Sequence, residues 1–341
     1  MRTQIAAFVQ GSLRRTLIAV CVTCAAAGCA PSAYKIEPVP VNRALEETVL
    51  LHEGGLAPPK IAQIDVSGVL INGAMPQLIG EGENPVSLLV ENLNKASEDD
   101  SVKAVLLRIN SPGGTVTAAD IMYQEILRFR KTARHPKPVV AMIMDVGASG
   151  AYYVACGCDE IIANRSSVIG SIGVIMQTFN LKGTLDKIGV QTVAIKSGRL
   201  KDAGSPWRGM TEEERKIFQG LIDDFFDRFV EVVADGRPRL NKERVREIAD
   251  GRVWTAQQAL ELGLIDRIGT LRDGLAVAKK MADATRVRVV TYRRPLGWKP
   301  NIYSSAPGGG TVNNYSLLNV NMPEPFLTPA PTFLYLWSPG A

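Results

Sequence analysis

The sequence is poor in histidine and in long apolar runs. Only His52 and His135 occur in 341 residues, and no apolar run approaches the roughly 20 residues that a membrane-spanning helix needs. Its glycine-rich turns lack the lysine of a phosphate-binding loop, and no aromatic residues interleave the basic stretch between Arg237 and Arg246. The sequence therefore argues against nucleotide and nucleic-acid binding.

Cysteine is also scarce, with five in the whole chain. Cys21 and Cys24 lie in the N-terminal apolar stretch, Cys29 follows it, and Cys156 and Cys158 form a Cys-x-Cys pair. Such a pair invites a metal or redox interpretation, but two ligands without nearby histidines do not make a metal site. We therefore expect these two cysteines to be small buried residues, and we expect neither a metal nor another cofactor.

The N-terminus has the pattern of a secretory signal peptide. Basic residues up to Arg15 precede an uncharged stretch over 16–27, which is too short to span a bilayer. The end of this stretch resembles the lipobox of bacterial lipoproteins, in which the cysteine is acylated, although Ala26 stands where leucine is commonest. We therefore expect a signal peptide over 1–28 and lipidation at Cys29, with simple cleavage as the alternative. The mature chain is then anchored at the membrane surface of a bacterial cell envelope, with its main domain outside the cytoplasm.

Beyond the signal, residues 29–57 form a proline-containing tether and lead-in segment. Apolar strand patterns then alternate with amphipathic helix patterns, which predicts an α/β fold of parallel βαβ units. The predicted strands cover 61–70, 102–109, 138–144, 160–163 and 287–292, and the early helices cover 84–97 and 115–134.

The C-terminal half is predicted to be mainly helical. Thr211 with Glu214, and Thr255 with Gln258, have the spacing of capping boxes that open helices. Residues 293–341 are rich in proline, glycine and asparagine and are predicted to be a loosely structured tail. Its end, Phe-Leu-Tyr-Leu-Trp, is too apolar to be left in water, so we expect it to dock on a neighbouring subunit or on the membrane surface.

Two glycine-containing turns follow successive predicted strands, where open α/β sheets build their sites. The turn over 110–114 leads to a helix N-terminus, whose free backbone N–H groups can hold a developing oxyanion. The second turn places Ser149 at the start of a short helix, as in a nucleophile elbow, although Ala151 stands where the usual pattern has glycine. Each turn alone is an ordinary structural device, but an exposed hydroxyl beside a turn of N–H donors is the layout that acyl transfer requires.

A serine nucleophile needs a base. His135 lies at the amino end of the predicted strand whose other end delivers Ser149, and seven strand residues at about 3.3 Å each put the two roughly 20 Å apart. Nothing in the sequence positions His52, so it stays open as a candidate. A conventional Ser-His-Asp triad is therefore disfavoured. Lysine remains as the candidate general base, because burial lowers the pKa of a lysine amine towards neutrality. The residues themselves do not say which lysine acts.

Several motifs occur in one order along the chain. They are Ser-Pro-Gly-Gly at 111–114, Val-Gly-Ala-Ser-Gly-Ala-Tyr-Tyr-Val-Ala at 146–155, Gly-Ser-Ile-Gly-Val at 170–174, Ser-Gly-Arg-Leu-Lys-Asp-Ala-Gly-Ser-Pro at 197–206 and Gly-Arg-Val-Trp-Thr-Ala at 251–256. Together these motifs are similar to the short, single-domain form of the signal peptide peptidase A family of serine peptidases. The similarity covers the segment 58–292, which the resemblance identifies as a serine peptidase domain.

The resemblance implies a Clp protease/crotonase-like fold with a helical C-terminal extension. It also implies a Ser-Lys dyad, with Ser149 as nucleophile, Lys201 as general base and Ser171 orienting the lysine amine. Gly114 and the N–H of Gly150 form the implied oxyanion hole. In the family, the serine and lysine of one site come from neighbouring domains or subunits, so the implied partner is a homo-oligomeric ring with shared sites.

Gly113 completes the implied oxyanion hole by allowing close approach of the substrate. The family's substrates are cleaved signal peptides and other apolar or unfolded peptides, and an apolar bowl would favour small or aliphatic side chains.

Two rival functions remain open at this point. One is a catalytically silent scaffold or assembly protein on the same fold. The other is acyl-CoA chemistry, although an exported protein would not encounter CoA.

Overall fold

The computed structural model of the chain describes residues 44–73, 83–132, 136–294 and 333–337. The predicted signal peptide, the predicted lipidation site Cys29, His135 and most of the predicted tail lie outside these residues. Within the described ranges, no helix has both the length and the apolarity needed to cross a bilayer.

The secondary structure alternates through the first half of the described chain. The strands are β1 (Glu46–His52), β2 (Lys60–Ser67), β3 (Val102–Ser111), β4 (Gly113–Thr115), β5 (Val139–Ala148), β6 (Glu160–Ala163), β7 (Val168–Gly170), β8 (Ile175–Met176), β9 (Val253–Thr255), β10 (Arg267–Ile268), β11 (Arg288–Arg293) and β12 (Phe333–Leu336). The helices are α1 (Pro85–Glu98), α2 (Val116–Thr132), α3 (Gly150–Ala155), α4 (Lys182–Lys187), α5 (Glu212–Gly236), α6 (Lys242–Ile248), α7 (Ala256–Glu261) and α8 (Leu271–Met281).

Nine of the described strands form one sheet, in the order β1-β11-β2-β3-β5-β6-β10, with β7 beside the end of β5 and β9 beside β7. The strands from β11 to β10 in this order run parallel, and β1 is antiparallel to β11. The parallel βαβ arrangement predicted from the alternating pattern is therefore confirmed. A separate three-stranded sheet has the order β4-β12-β8.

The central strand β3 is buried on both faces. Ala104 and Leu106 contact the apolar cluster that includes Leu271 of α8, whereas Val105 and Leu107 belong to the larger cluster with helices α1, α2 and α3. Because successive side chains of a strand point to opposite faces, its nearly continuous apolar run fills two cores at once. Burial of each such leucine contributes roughly 1.5–3 kcal/mol to stability.

Both predicted capping boxes are present. The Thr211 hydroxyl accepts a hydrogen bond from the N–H of Glu214, and the Glu214 carboxylate accepts one from the N–H of Thr211 at 2.8 Å. Thr255 and Gln258 are paired in the same reciprocal way at the start of α7. These caps satisfy backbone donors that a helix start otherwise leaves without partners.

The apolar end of the tail corrects one expectation. Residues 333–336 were expected to dock on a neighbouring subunit or a membrane, but they form β12 within the same chain, antiparallel to both β4 and β8. Leu334 and Tyr335 are buried there. The expectation failed because apolar character shows that a segment needs cover without showing which surface supplies it.

Candidate active site

Ser149 lies on the sharp turn between β5 and α3. Its φ of 53° and ψ of −122° place it in a backbone region that residues with a side chain rarely adopt. Its N–H donates to the carbonyl of Gly170 at 2.7 Å, and its own carbonyl accepts from the N–H of Tyr153 at 3.0 Å. Hydrogen bonds on both sides therefore hold the strained turn, which has the form of a nucleophile elbow.

The surroundings of Ser149 differ from the expectation in one respect. The residue is only 1% exposed, although the pattern of a nucleophile elbow predicts an exposed hydroxyl. Among the described residues, no hydrogen bond is made by its side chain. The hydroxyl is therefore covered in this structure, and the base that would activate it must reach it from elsewhere.

Ser171 lies beside Ser149, because the two serines follow the ends of adjacent strands. The strands β5 and β7 are parallel, and Ala148 pairs with Gly170, so each serine follows directly after a paired strand end. Ser171 is buried, has a φ of 49°, and donates its N–H to the carbonyl of Arg252 at 2.7 Å. The tertiary structure thus brings together the two serines that the resemblance assigned to one site.

The first glycine turn lies between β3 and β4. A Cβ atom on Gly113, which has a φ of 100°, would stand 2.0 Å from the carbonyl oxygen of Tyr335 and 2.7 Å from the nitrogen of Gly150. A Cβ atom on Gly114 would stand 1.9 Å from the carbonyl oxygen of Leu70. Only glycine therefore permits the two turns and β12 to pack this closely.

The backbone donors of this turn are not equivalent. The N–H of Gly113 is already donated to the hydroxyl of Ser111 at 3.1 Å. This leaves the N–H groups of Gly114 and Gly150 as the candidate donors to an oxyanion, the pair that the resemblance implied. Gly113 instead leaves space beside these donors, because it has no side chain where the carbonyl of Tyr335 lies.

Tyr335 in β12 lies across these glycines. Its carbonyl oxygen is 3.1 Å from the position that a Cβ atom on Gly150 would take, as well as close to Gly113. The strand pairs Tyr335 with Gly114, and the N–H of Trp337 donates to the carbonyl of Pro112 at 2.8 Å. A peptide carbonyl of the chain's own C-terminal segment thus lies at the junction of the two glycine turns.

Lys201 stands apart from this cluster. It lies on an exposed turn in which its N–H donates to the carbonyl of Gly198 at 3.1 Å. Within the described part of the chain, its side chain makes no hydrogen bond or ion pair, so none joins it to Ser149 or Ser171. The structure places the implied base and the implied nucleophile without a contact between them.

The turn that carries Lys201 is itself well fixed. Asp202 accepts hydrogen bonds from Arg208 at 2.8 Å and from Lys196 at 2.6 Å, and both interactions hold the pKa of Asp202 well below its usual range. Arg208 also pairs with Glu214 at the start of α5. These ion pairs therefore connect the Lys201 turn to α5. The turn is exposed to solvent and is also locally ordered by its contacts.

We use the name arm for residues 177–211, which include this turn. Large apolar side chains of the arm face solvent: Ile188 is 68% exposed, Val193 is 86% exposed and Ile195 is 100% exposed. Helix α4, which lies in the arm, has no buried residue. Exposed apolar surface on a structured segment is typical of interaction sites.

The structure removes the open candidate His52. Because β1 is antiparallel to β11, and His52 pairs with Arg288 at the amino end of β11, His52 lies at the amino ends of the parallel strands. Ser149 follows the carboxyl end of β5, at the opposite edge of the sheet. The Nδ1 atom of His52 accepts a local hydrogen bond from the N–H of Gly54 at 3.2 Å.

Cys156 and Cys158 are buried free thiols, as predicted. Burial raises the pKa of Cys156 to about 12, so the thiol stays protonated at neutral pH. In the described ranges, no cluster of three or more histidine, cysteine, aspartate or glutamate side chains is placed to hold a metal ion.

A parallel sheet with a glycine turn and a strained serine turn at the carboxyl ends of its strands defines an α/β protein of the Clp protease/crotonase-like fold. The sequence profile of peptidase family S49 matches residues 131–285. A "putative signal peptide peptidase SppA" of Enterococcus faecium is 37% identical over 252 residues, which cover 74% of this chain and 71% of that protein. The chain therefore belongs to peptidase family S49, the SppA family of serine proteases.

Two further proteins show similarity to this chain. A "putative protease" of Synechocystis sp. is 40% identical over 238 residues, which cover 69% of this chain and 80% of that protein. A solved structure of a mutant membrane-bound stomatin-specific protease superposes with a TM-score of 0.43 and 16% identity, covering 66% of this chain and 86% of that one.

Proposed function

We propose that this chain is a membrane-associated serine endopeptidase that cuts cleaved signal peptides and other apolar or unfolded peptides of the bacterial cell envelope. The observation that carries the proposal is the carbonyl of Tyr335 lying beside Gly113 and beside Gly150, the residue that follows Ser149 in the chain. A peptide carbonyl in this place is what nucleophilic attack requires. The similarity to a putative signal peptide peptidase supports the substrate class.

In the proposed mechanism, the Lys201 amine accepts the hydroxyl proton of Ser149 while Oγ attacks the carbonyl carbon of the peptide. The N–H groups of Gly114 and Gly150 stabilise the oxyanion, and Ser171 orients the amine. The tetrahedral intermediate collapses when the lysine returns the proton to the leaving amine. Water, deprotonated by the same amine, then hydrolyses the ester and regenerates Ser149.

The base is proposed to come from a neighbouring subunit of a ring. Lys201 has no side-chain partner among the described residues, and the arm that carries it exposes an apolar surface suited to a second copy of the chain. A cavity of about 410 Å³ opens beside Ser171 and is lined in part by Ile222 and Phe226. The lining also includes the carboxylates of Asp223 and Asp250, so desolvation by the apolar side chains would lower the pKa of an entering lysine while these carboxylates would raise it.

Attachment to the membrane is proposed to occur through Cys29, acylated after removal of residues 1–28. The catalytic domain then lies outside the cytoplasm at a membrane surface. Mass measurement on the protein extracted from bacterial membranes tests this directly. A lipid-modified N-terminal Cys29 supports the anchor, and an unmodified Cys29 contradicts it.

Hydrolysis of a fluorogenic apolar peptide tests the chemistry. The wild-type chain is expected to cleave it, whereas Ser149→Ala and Lys201→Ala are expected to lose about 10³-fold or more in rate. Lys103→Ala is the matched control, because Lys103 is exposed near the amino end of β3, away from the site. Full activity in both site variants contradicts the dyad, and a wild-type chain that cleaves no peptide favours the scaffold alternative.

A further inference from the structure

The guanidinium group of Arg208 joins the turn that carries Lys201 to the start of helix α5. On one side, its Nε and Nη2 atoms donate to the two carboxylate oxygens of Asp202 at 3.0 and 2.8 Å, and Nη2 also donates to the backbone carbonyl of Asp202 at 3.1 Å. On the other side, Nη1 donates to the carboxylate of Glu214 at 3.0 Å, and Nη2 contacts the same carboxylate. Two-pronged contacts of this kind fix the orientation of the groups that they join as well as their distance.

Glu214 is a buried acceptor on a part of α5 that is otherwise open to solvent. Its side chain is 1% exposed, and the next buried residue along the helix is Phe229. Fifteen helical residues at about 1.5 Å each separate the two by roughly 22 Å. The Glu214 carboxylate also accepts the N–H of Thr211 at 2.8 Å, so one carboxylate fixes both the start of the helix and the position of Arg208. The Lys201 turn is therefore held at the far end of a long helix whose other end lies in the core.

The same contacts occupy the carboxylate that is nearest to Lys201 in the chain. Asp202 follows Lys201 directly, and a free carboxylate there could pair with the lysine amine. Both of its oxygens accept hydrogen bonds from Arg208, and one of them also accepts from Lys196 at 2.6 Å. Lys201 is exposed, and within the described residues its amine has no ion pair. The amine is thus left available to a group outside its own turn.

A base that comes from a separate subunit depends on the segment that carries it. The lysine side chain is long and flexible, and a displacement of about 1 Å at a catalytic group can cost roughly 100-fold in rate. The contacts of Arg208 end on the carboxylate and the carbonyl of Asp202, one residue from Lys201. They therefore set the position of the backbone from which the amine reaches out.

We propose that Arg208 is a positioning residue for catalysis: by clamping Asp202 to Glu214, it fixes the direction in which the chain presents Lys201 to the active site of a neighbouring subunit. This inference rests on the proposed endopeptidase function, because it concerns the base of that reaction. Arg208 does not touch the reacting atoms. It acts through the backbone of the Lys201 turn.

Kinetics on the fluorogenic apolar peptide test this role in the full chain. Arg208→Ala is expected to lower kcat about 100-fold and to leave KM within about 2-fold of the wild-type value, because peptide binding does not use the base. Arg208→Lys is expected to lose only about 10-fold, because an ammonium group keeps the charge without the planar fork that spans both carboxylates. Arg215→Ala is the matched control, since Arg215 is an exposed arginine in the first turn of the same helix and pairs with Glu212 at 3.6 Å. An unchanged kcat in Arg208→Ala, or an equal loss in Arg215→Ala, overturns the inference.

Assemblies of two different chains show whether Arg208 acts through the lysine of its own chain. Arg208→Ala chains co-expressed with Ser149→Ala chains are expected to recover about a quarter of wild-type activity, because in a randomly mixed ring that share of sites joins an intact serine to an intact Lys201 turn. Arg208→Ala chains co-expressed with Lys201→Ala chains are expected to stay at the activity of Arg208→Ala alone, because both changes disable the base. Recovery with Lys201→Ala, or none with Ser149→Ala in assemblies that contain both chains, overturns the inference.

A merely misfolded Arg208→Ala chain could not restore activity to Ser149→Ala chains, so recovery also excludes a loss of folding as the cause. Arg208→Lys takes its place if Arg208→Ala does not assemble. Hydrogen exchange of the backbone amides over 199–205 gives a measurement that does not depend on cleavage. Exchange is expected to be faster in Arg208→Ala than in the wild-type chain, and unchanged exchange overturns the inference.

The outcomes for the positioning role and for the proposed function are distinct. Wild-type kinetics in Arg208→Ala beside an inactive Lys201→Ala would overturn the positioning role and leave the dyad in place. Full activity in Lys201→Ala would overturn the dyad, and with it the role of Arg208.

Discussion

Ser149 and Ser171 each stand one residue beyond a paired strand end, Ala148 in β5 and Gly170 in β7, and both have a positive φ. Adjacent strands lie about 4.8 Å apart, so a group bonded to one hydroxyl is within reach of the other. The sheet therefore fixes the spacing of the two serines without any hydrogen bond between their side chains. In the proposed mechanism this spacing lets Ser171 hold the amine that activates Ser149.

Replacing Ser171 by alanine is expected to lower kcat/KM roughly 10-fold, the effect of losing one hydrogen bond of about 1.4 kcal/mol. Because the hydroxyl orients the lysine amine, the pH–rate profile is also expected to shift, which a purely structural role would not produce. Peptide hydrolysis measured from pH 6 to pH 10 checks both effects. An unchanged rate and profile would show that Ser171 has no positioning role.

Mixed assemblies test the shared site. Chains carrying Ser149→Ala and chains carrying Lys201→Ala are each expected to be inactive, but co-expressed chains are expected to recover about a quarter of wild-type activity. In a ring with random mixing, that fraction of sites combines an intact serine from one subunit with an intact lysine from its neighbour. Activity is measured on the purified mixed assembly. No recovery in assemblies confirmed to contain both chains would place serine and lysine in one subunit.

Substitution of Tyr335 by alanine is expected to raise the rate on the fluorogenic apolar peptide about 10-fold at low substrate concentration. The reason is that a groove filled by β12 is available for only a fraction of the time, which raises the apparent KM. Tyr335→Phe is expected to have a smaller effect because it keeps the ring contacts. Met281→Ala, an exposed apolar residue on α8, is the control. A lower or unchanged rate for Tyr335→Ala would argue that β12 supports the site instead of competing for it.

Alanine at Gly114 and at Gly113 is expected to act through different physical effects. A Cβ atom on Gly114 would meet the backbone of Leu70, so Gly114→Ala is expected to lower the melting temperature by several degrees. A Cβ atom on Gly113 would meet the carbonyl of Tyr335 and the nitrogen of Gly150, and the φ of 100° disfavours any residue with a side chain, so Gly113→Ala is expected to reduce both stability and peptide hydrolysis. Calorimetry and peptide hydrolysis on both variants compare the two effects. An unchanged melting temperature for either variant would contradict the collision expected at that position.

The stability of the helix start at Glu214 is expected to depend on pH. Arg208 and the N–H of Thr211 lower the pKa of the buried Glu214 carboxyl from 4.5 to about 2. Its stabilising contribution is therefore complete above the unfolded-state pKa and is lost as the pH falls towards about 2. Glu214→Gln is expected to lower the melting temperature by a few degrees at pH 7 and by less at pH 3. Circular dichroism measures this, with the exposed Glu261→Gln as control, and an equal loss at both pH values would contradict it.

The sequence by itself determined the parts of the fold that local pattern encodes. Periodic apolar residues located β3 and β5, and the spacing of Thr211 with Glu214 located the start of α5. The glycine and serine turns were visible because strained turns need particular residue types. These features depend on residues close together in the chain, so their physical causes can be identified in a single stretch of sequence.

Only the tertiary structure decided what covers the site. Nothing local pairs Phe333–Leu336 with β4 and β8, because the free energy of that pairing comes from rings and backbone groups far away along the chain. The same reason made His52 undecidable from sequence, since its position opposite Ser149 follows from the direction of β1. Lys201 is likewise an ordinary exposed lysine by local pattern, and the exposed apolar arm around it became visible only when the folded chain left that surface uncovered.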